Sequence, residues 1–277
     1  MNVGYYNGNL LPLSDIKIPL TDRAVYFGEG VYEALIARGG FLHFPEKHID
    51  RLFSNLSLLG IPFDKSKEEL LSLIKDVLFA SKEDMALIYL QVTGYSERRI
   101  HASPKTDRYN LLITVTAAPL PASEKRVKLV TYPDLRYRYC NIKTLNLLPS
   151  VLAARYAEKN GADEAVFIRD GVVTECSKSN LFLIKDGIVY THPNSPLILP
   201  GIARDALLSE CRRIGIPRRE EAFGEEMLYS ADALLITSST RICSIAESIN
   251  GRTFDEKNAV ATLLCEKLHN NFLESCR

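Results

Sequence analysis

Five stretches of this 277-residue chain carry residue types that could do chemistry together. Lys143 sits in Cys140-Asn141-Ile142-Lys143-Thr144-Leu145-Asn146-Leu147-Leu148, a short and mostly apolar run. Desolvation shifts a lysine readily, which suits it to attack a carbonyl and form a Schiff base. The plainer alternative is a stem packed on apolar surface with its ammonium snorkelling to water. Glu175 stands near the end of Val172-Val173-Thr174-Glu175-Cys176-Ser177, an apolar β-type segment where a charge needs a partner. It could be a strand-edge salt-bridge residue, or it could hold a proton on a heterocyclic nitrogen. Pro200-Gly201-Ile202-Ala203-Arg204 puts a glycine just ahead of a helix, where first-turn N–H groups are unpaired and suited to phosphate. Ser238-Ser239-Thr240 offers further hydroxyl donors, or a plain polar turn. Arg51 lies beside the apolar stripe of a predicted helix, where its guanidinium could fork onto phosphate oxygens or face solvent.

An amine for an aldehyde, an acid for a ring nitrogen and several donors for a phosphate together describe one ligand, pyridoxal 5′-phosphate. None of these features is specific alone; their order along the chain is.

The elements that must position them can be read from periodicity and punctuation. Residues 31–37 and 41–44 read as strands around Gly39-Gly40, a pair that tolerates a tight hairpin. Residues 46–59 form a helix with Ile49, Leu52, Phe53, Leu56 and Leu59 on one face, stopped by Gly60 and Pro62. A second helix starts at the capping box Ser66/Glu69, and β-type segments follow at 86–93 and 109–118. Two prolines in the small-residue stretch 117–123 suit an interdomain connector. The expected organisation is therefore a domain over 1–117, a linker over 118–123 and a second domain over 124–277. In the second half a strand is expected at 127–132, helices at 149–160 and 202–214, and a strand at 233–237 leading into the hydroxyl turn. Asp170-Gly171, Asp186-Gly187 and Asn250-Gly251 are hairpin dipeptides.

Composition narrows the function classes. A hydrophobic fraction of 46% and a charged fraction of 25% are those of an ordinary globular protein, and 34 basic residues balance 34 acidic ones. That balance argues against a nucleic-acid partner. No apolar run has the length of a membrane span, and the first residues lack a signal peptide's basic-then-apolar order. Six scattered cysteines (Cys140, Cys176, Cys211, Cys243, Cys265, Cys276) without a C-x-x-C pair argue against a zinc site or a disulfide framework, so no metal is expected and a reducing cytoplasm fits best.

The chain resembles the fold-type IV pyridoxal-phosphate enzymes, the class IV aminotransferases, over nearly its whole length. The stretches that carry the resemblance are Asp22-Arg23-Ala24-Val25-Tyr26-Phe27-Gly28-Glu29-Gly30-Val31-Tyr32-Glu33, Glu46-Lys47-His48-Ile49-Asp50-Arg51-Leu52, Ile142-Lys143-Thr144-Leu145-Asn146, Thr174-Glu175-Cys176-Ser177-Lys178-Ser179-Asn180 and Leu199-Pro200-Gly201-Ile202-Ala203-Arg204. The resemblance implies a mixed α/β (α+β) fold of two domains, a smaller N-terminal α/β domain and a larger C-terminal pseudo-barrel domain that binds the cofactor. It gives Lys143 the bond to the cofactor aldehyde and the proton shuttle, and Glu175 the pyridinium nitrogen. Arg51, the N–H groups of Ile202 and Ala203 and the hydroxyls of Ser238 and Ser239 would hold the phosphate, and Leu199 would pack on the ring. Within the family the chain is most similar to D-amino-acid aminotransferases. In an extended Arg98-Arg99-Ile100-His101, Arg99 and His101 share a face, and converging Arg and His side chains make a carboxylate trap. The resemblance implies that this pair, reaching over from the partner subunit of a homodimer, joins Tyr32 in binding the substrate carboxylate.

Several positions depart from that pattern. Ala203 stands where a Thr is usual, Lys178 replaces a Ser, Arg241 adds a cation after the hydroxyl turn, and Gly94 takes the place of a common Arg. The leading expectation is reversible amino transfer from a D-amino acid to a 2-oxo acid. The alternatives are an L-branched-chain aminotransferase, an aminodeoxychorismate-lyase-like enzyme, and a non-catalytic relative that keeps the fold for binding.

Overall fold

The computed structural model describes residues 3–95, 98–102, 106–255 and 257–276. The chain forms two compact units: Met1–Leu120 with Ile142–Asn146 and Ser275–Arg277, and Pro121–Asn141 with Leu147–Glu274. Lys143 thus belongs to the first unit, although chain order puts it beyond the proline-rich connector.

The first unit contains β1 (Val3–Tyr6), β2 (Asn9–Pro12), α1 (Arg23–Phe27), β3 (Gly30–Arg38), β4 (Phe41–Leu42), α2 (Pro45–Leu59), α3 (Lys67–Ser81), β5 (Met85–Gly94) and β6 (Tyr109–Ala117). Its six strands make one antiparallel sheet in the order β2-β1-β6-β5-β3-β4. Alternation decides which face is covered. Ala86, Ile88, Leu90 and Val92 of β5 are buried, and opposite them stand Ala37, Leu35, Glu33 and Val31 of β3. Ile49, Leu52 and Leu56 of α2 and Leu70, Ile74 and Val77 of α3 complete this core. The capping box predicted at the start of α3 is made in both directions, Glu69 N–H to Ser66 and Ser66 N–H to Glu69. Glu33 is the one carboxylate in the apolar row of β3, and it needs partners there.

The second unit contains β7 (Val127–Pro133), α4 (Leu148–Lys159), β8 (Glu164–Arg169), β9 (Val172–Cys176), β10 (Asn180–Lys185), β11 (Ile188–Thr191), α5 (Ile202–Ile214), β12 (Arg218–Glu220), α6 (Glu225–Ser230), β13 (Ala233–Ser238), β14 (Ile242–Ile249), β15 (Arg252–Thr253) and α7 (Ala259–Ser275). Nine strands form a mixed, curled sheet in the order β12-β11-β10-β13-β14-β7-β8-β9, with β15 on β14. Near-continuous burial along β8, β10 and β13 marks a sheet covered on both faces. The three predicted hairpin dipeptides, 170–171, 186–187 and 250–251, each have positive φ at both residues, the geometry that matches strand twist. The hairpin of β1 and β2, the short α1 and the C-terminal α7 lie outside the sequence expectations. Among the described residues no helix is long and apolar enough to cross a membrane.

Candidate active site

Lys143 is placed by backbone pairing. The segment Ile142–Asn146 lies along the edge of β3: the Tyr32 N–H donates to Lys143 O (3.0 Å), the Leu145 N–H donates to Gly30 O (3.2 Å), and Val31 bridges Thr144. Two glycines make that approach possible. A Cβ on Gly28 would lie 2.6 Å from Asn146 Oδ1, and one on Gly30 2.7 Å from Leu145 Cδ1. The Asn146 side chain donates to Gly28 O at 3.0 Å and locks the segment. The result sets Lys143 Nζ 4.1 Å from the centroid of the Tyr32 ring, which stacks on Tyr89 (5.6 Å).

On the covered face of the same sheet Glu33 gathers two partners from α2. Arg51 donates from Nε to Oε1 (2.7 Å) and from Nη2 to Oε2 (2.8 Å), and His48 Nδ1 donates to Oε2 (2.7 Å). Burial pushes the Glu33 carboxyl up, but the hydrogen bonds from Arg51 and His48 outweigh it and hold the group at about 2. Burial also keeps His48 below its ordinary value against the pull of Glu33. Arg51 is therefore not a solvated helix flank; its side chain is 11% exposed and clamped in one orientation.

Arg98-Arg99-Ile100-His101 is not the extended strand that the alternation argument assumed. The Ile100 N–H bonds back to Arg98 O at 3.0 Å, closing a tight turn. Arg99 and His101 still meet on one surface: the Arg99 guanidinium lies 5.4 Å and the His101 ring 5.3 Å from the centroid of Phe27.

In the second unit the ends of β9, β10 and β13 converge on the start of α5. Glu175 is buried and fully partnered. Arg136 Nη1 donates to Oε1, the Asn180 amide donates to Oε2 (2.9 Å), and the Leu199 N–H lies 3.1 Å and 3.2 Å from the two oxygens. Burial pushes this carboxyl up to about 7 even though Arg136 pulls it down. Arg136 is shared with Asp134, which takes its Nε and Nη2 at 2.9 Å each. Ile202 and Ala203 open α5, where no side chain caps the first-turn N–H groups. Gly201 ahead of them makes room for Asn180, whose amide also donates to Leu199 O at 2.9 Å. Thr237 stands opposite Asn180 in the sheet register, and its buried hydroxyl has no partner among the described residues. In the turn beyond, Ser238 Oγ accepts from the Arg241 N–H (3.2 Å), Ser239 is half-buried, and the buried Arg241 Nη1 has no partner among the described residues. Lys178 is exposed in the β9–β10 turn.

The structure brings Lys143, Tyr32, Arg51, Arg99 and His101 into the first unit and Glu175, Leu199, Ile202, Ala203, Ser238 and Ser239 into the second. Sequence reasoning gave no role to Glu33, His48, Asp134, Arg136, Asn180 or Thr237. Glu33 did leave a signal, a carboxylate at the buried parity of β3. Arg136 left none, since 39 residues separate it from Glu175.

The donor set of the second unit fits pyridoxal 5′-phosphate: an uncapped helix start, a hydroxyl turn, an orphaned buried hydroxyl and a carboxyl poised near neutrality. Comparisons with known proteins agree. The family model "Amino-transferase class IV" matches residues 30–249. A D-alanine aminotransferase from Bacillus licheniformis is 35% identical over 253 residues, covering 90% of this chain and 88% of its own. One from Listeria monocytogenes is 34% identical over 274 residues, covering 97% and 94%. The branched-chain aminotransferase of Thermoproteus uzoniensis superposes with a TM-score of 0.92 at 20% identity, covering 99% and 95% of the two chains, a likeness of fold.

The fold is that of a fold-type IV pyridoxal-phosphate enzyme. The chain belongs to the class IV aminotransferases. It is a pyridoxal-phosphate-dependent transaminase, and its substrates are an amino acid and a 2-oxo acid.

Proposed function

We propose that this transaminase takes its amino group from a D-amino acid, and that two copies of the chain form the working enzyme. The observation that carries the first part is the match over 90–97% of the chain to D-alanine aminotransferases at 34–35% identity. The likeness to a branched-chain aminotransferase, at 20% identity, speaks for the fold alone. Pyridoxal 5′-phosphate supplies an aldehyde that bonds amines and a ring that accepts the electrons left when a Cα–H bond breaks. Lys143 Nζ would hold the aldehyde and carry the proton to and from the substrate Cα. Glu175, buried and held near neutrality, would keep a proton on the ring nitrogen. The N–H groups of Ile202 and Ala203, the hydroxyls of Ser238 and Ser239 and the guanidinium of Arg51 would bind the phosphate. Ala203 contributes only its N–H, having no hydroxyl. Leu199 would pack on the ring, anchored by its own N–H on Glu175. Tyr32, Arg99 and His101 would bind the substrate carboxylate.

Support for the homodimer comes from α4 and the loop before it. Leu148, Val151, Leu152 and Tyr156 are exposed along the helix, and Leu135, Tyr137 and Tyr139 along the loop. Six cysteines without a disulfide suit a reducing cytoplasm. The deciding experiment is a steady-state screen of D- and L-alanine and D- and L-leucine as donors to 2-oxoglutarate. Turnover restricted to L-leucine would overturn the D-specific reading. Light scattering on the same sample reads assembly, and a fully active monomer would remove the dimer.

A further inference from the structure

Arg23 is a cation with 2% of its surface exposed, one of the largest fully buried side chains in the protein. Its donors are all directed. Nε and Nη2 bond Glu29 Oε2 at 2.8 Å and 2.6 Å. Nη1 donates to Ile100 O at 2.8 Å, and Nη2 donates to His101 O at 3.0 Å. The ion pair with Glu29 thus orients a fork that grips two consecutive carbonyls of the segment bearing Arg99 and His101. That segment is exposed from Arg98 to Ala102 and belongs to no strand or helix. Phe27 gathers its side chains: Arg23, Arg99 and His101 all lie within 5.4 Å of that ring's centroid.

The grip is itself anchored to the sheet. Asp22 accepts from the Ala24 N–H (2.8 Å) with one oxygen, and with the other from Thr93 Oγ1 (2.8 Å) and the Asn110 amide (2.9 Å). These bonds pin α1 to β5 and β6. Gly94 completes the device by what it lacks, because a Cβ there would stand 2.5 Å from Glu29 Oε1 and 3.1 Å from Arg23 Cδ.

We propose that Arg23, held by Glu29 in the space that Gly94 leaves, is a positioning residue for substrate binding: it fixes the backbone of Ile100 and His101 so that Arg99 and His101 present their donors together. This rests on the reading of Arg99 and His101 as the carboxylate-binding pair. Two side chains on an exposed loop without ladder hydrogen bonds would otherwise have to be ordered at each binding event, and the tether removes that cost beforehand. Such preorganisation acts on the bound substrate and the transition state alike, so its loss appears in KM and spares kcat.

The test compares Arg23→Met, Arg23→Lys, Gly94→Ala and Arg99→Ala with the unmodified holoenzyme. For Arg23→Met the expected result is a KM for D-alanine and for 2-oxoglutarate raised about tenfold, with kcat nearly unchanged. Arg23→Lys should fall between, and Gly94→Ala should shift KM in the same direction. Limited trypsin digestion read by mass spectrometry supplies a measurement independent of turnover. Cleavage after Arg98 and Arg99 should accelerate in Arg23→Met while the other sites keep their rates. Unchanged KM in Arg23→Met, or cleavage accelerated equally everywhere, overturns the inference. If Arg23→Met does not fold, Arg23→Lys and Gly94→Ala carry the same test. Arg99→Ala separates the layers: if it leaves KM unchanged the carboxylate reading falls, and if it raises KM while Arg23→Met does not, only the positioning role falls.

Discussion

Replacing Glu33 by Gln probes the electrostatic frame of the first unit most directly. The carboxylate is 1% exposed and accepts three hydrogen bonds, two from Arg51 and one from His48. A glutamine offers one oxygen in place of two and turns an amide donor toward a guanidinium, so at least one bond is lost and Arg51 is left undercompensated. The gap between about 2 in the folded protein and the ordinary 4.5 corresponds to about 3 kcal/mol, at about 1.4 kcal/mol per tenfold. The cost of breaking a buried pair by removing one partner is of the same size, about 3–5 kcal/mol. A carboxyl held below its unfolded value stabilises the fold above that value and loses its contribution as pH falls toward the folded value. The Glu33 contribution should therefore be complete at pH 7 and vanish between about pH 4.5 and about pH 2. Because the chain has two units, global unfolding is a poor gauge, and hydrogen exchange resolved to peptides spanning 30–59 reads the right region. Glu33→Gln should lower the opening free energy of those peptides by about 3 kcal/mol at pH 7, and the deficit should shrink as the acid limit is approached. A deficit below about 1 kcal/mol at neutral pH, or one that ignores pH, would refute the account of this cluster.

Glu175 makes the opposite prediction. Its carboxyl is raised to about 7, so its contribution is complete below about pH 4.5 and is lost as pH rises through about 7. The stability of the apoprotein relative to Glu175→Gln should fall by about 3 kcal/mol across that window by chemical denaturation; a flat difference would show that Arg136 holds the group ionised throughout. Gly30→Ala tests how Lys143 is placed. Its Cβ would meet Leu145 Cδ1 at 2.7 Å and Thr93 Cγ2 at 2.8 Å, so those side chains must shift and strain the pairing of the Lys143 segment with β3. The expected cost is about 1–3 kcal/mol in stability together with a lowered kcat, and wild-type kinetics in the variant would show that this close approach does not position the lysine.

Much of the candidate site is legible in the sequence because its features sit at punctuated ends. Gly201 precedes α5 at the helix start, and the dipeptides at 170–171 and 186–187 set the hairpins that frame Glu175. Two further elements are legible at the same level. Asn7-Gly8 is a strong hairpin signal, and both residues have the positive φ that joins β1 to β2. Ala261, Leu264, Cys265, Leu268 and Phe272 mark the buried stripe of α7 at helical spacing. The rest was not available locally. Arg136 meets Glu175, and Arg23 meets Ile100, only after the chain has folded. At Arg98–His101 a hydrogen bond across two residues replaces the extended geometry that parity requires, although Arg99 and His101 still meet on one surface.

Glu33 and Glu175 show why the same residue type can serve two ends. Both are almost wholly buried, and both face an arginine. The outcome turns on how that arginine is shared. Arg51 directs Nε and Nη2 at Glu33, and His48 adds a third donor, so the hydrogen bonds outweigh burial and fix a permanent anion. Arg136 turns Nε and Nη2 toward Asp134, whose negative charge in addition repels Glu175, so burial wins there and the carboxyl sits near neutrality. A fixed anion can only orient its neighbours, as Glu33 does for Arg51. A carboxyl raised to about 7 can pass its proton to a basic ring nitrogen and stay beside it as the paired anion, which is what the proposed role of Glu175 requires.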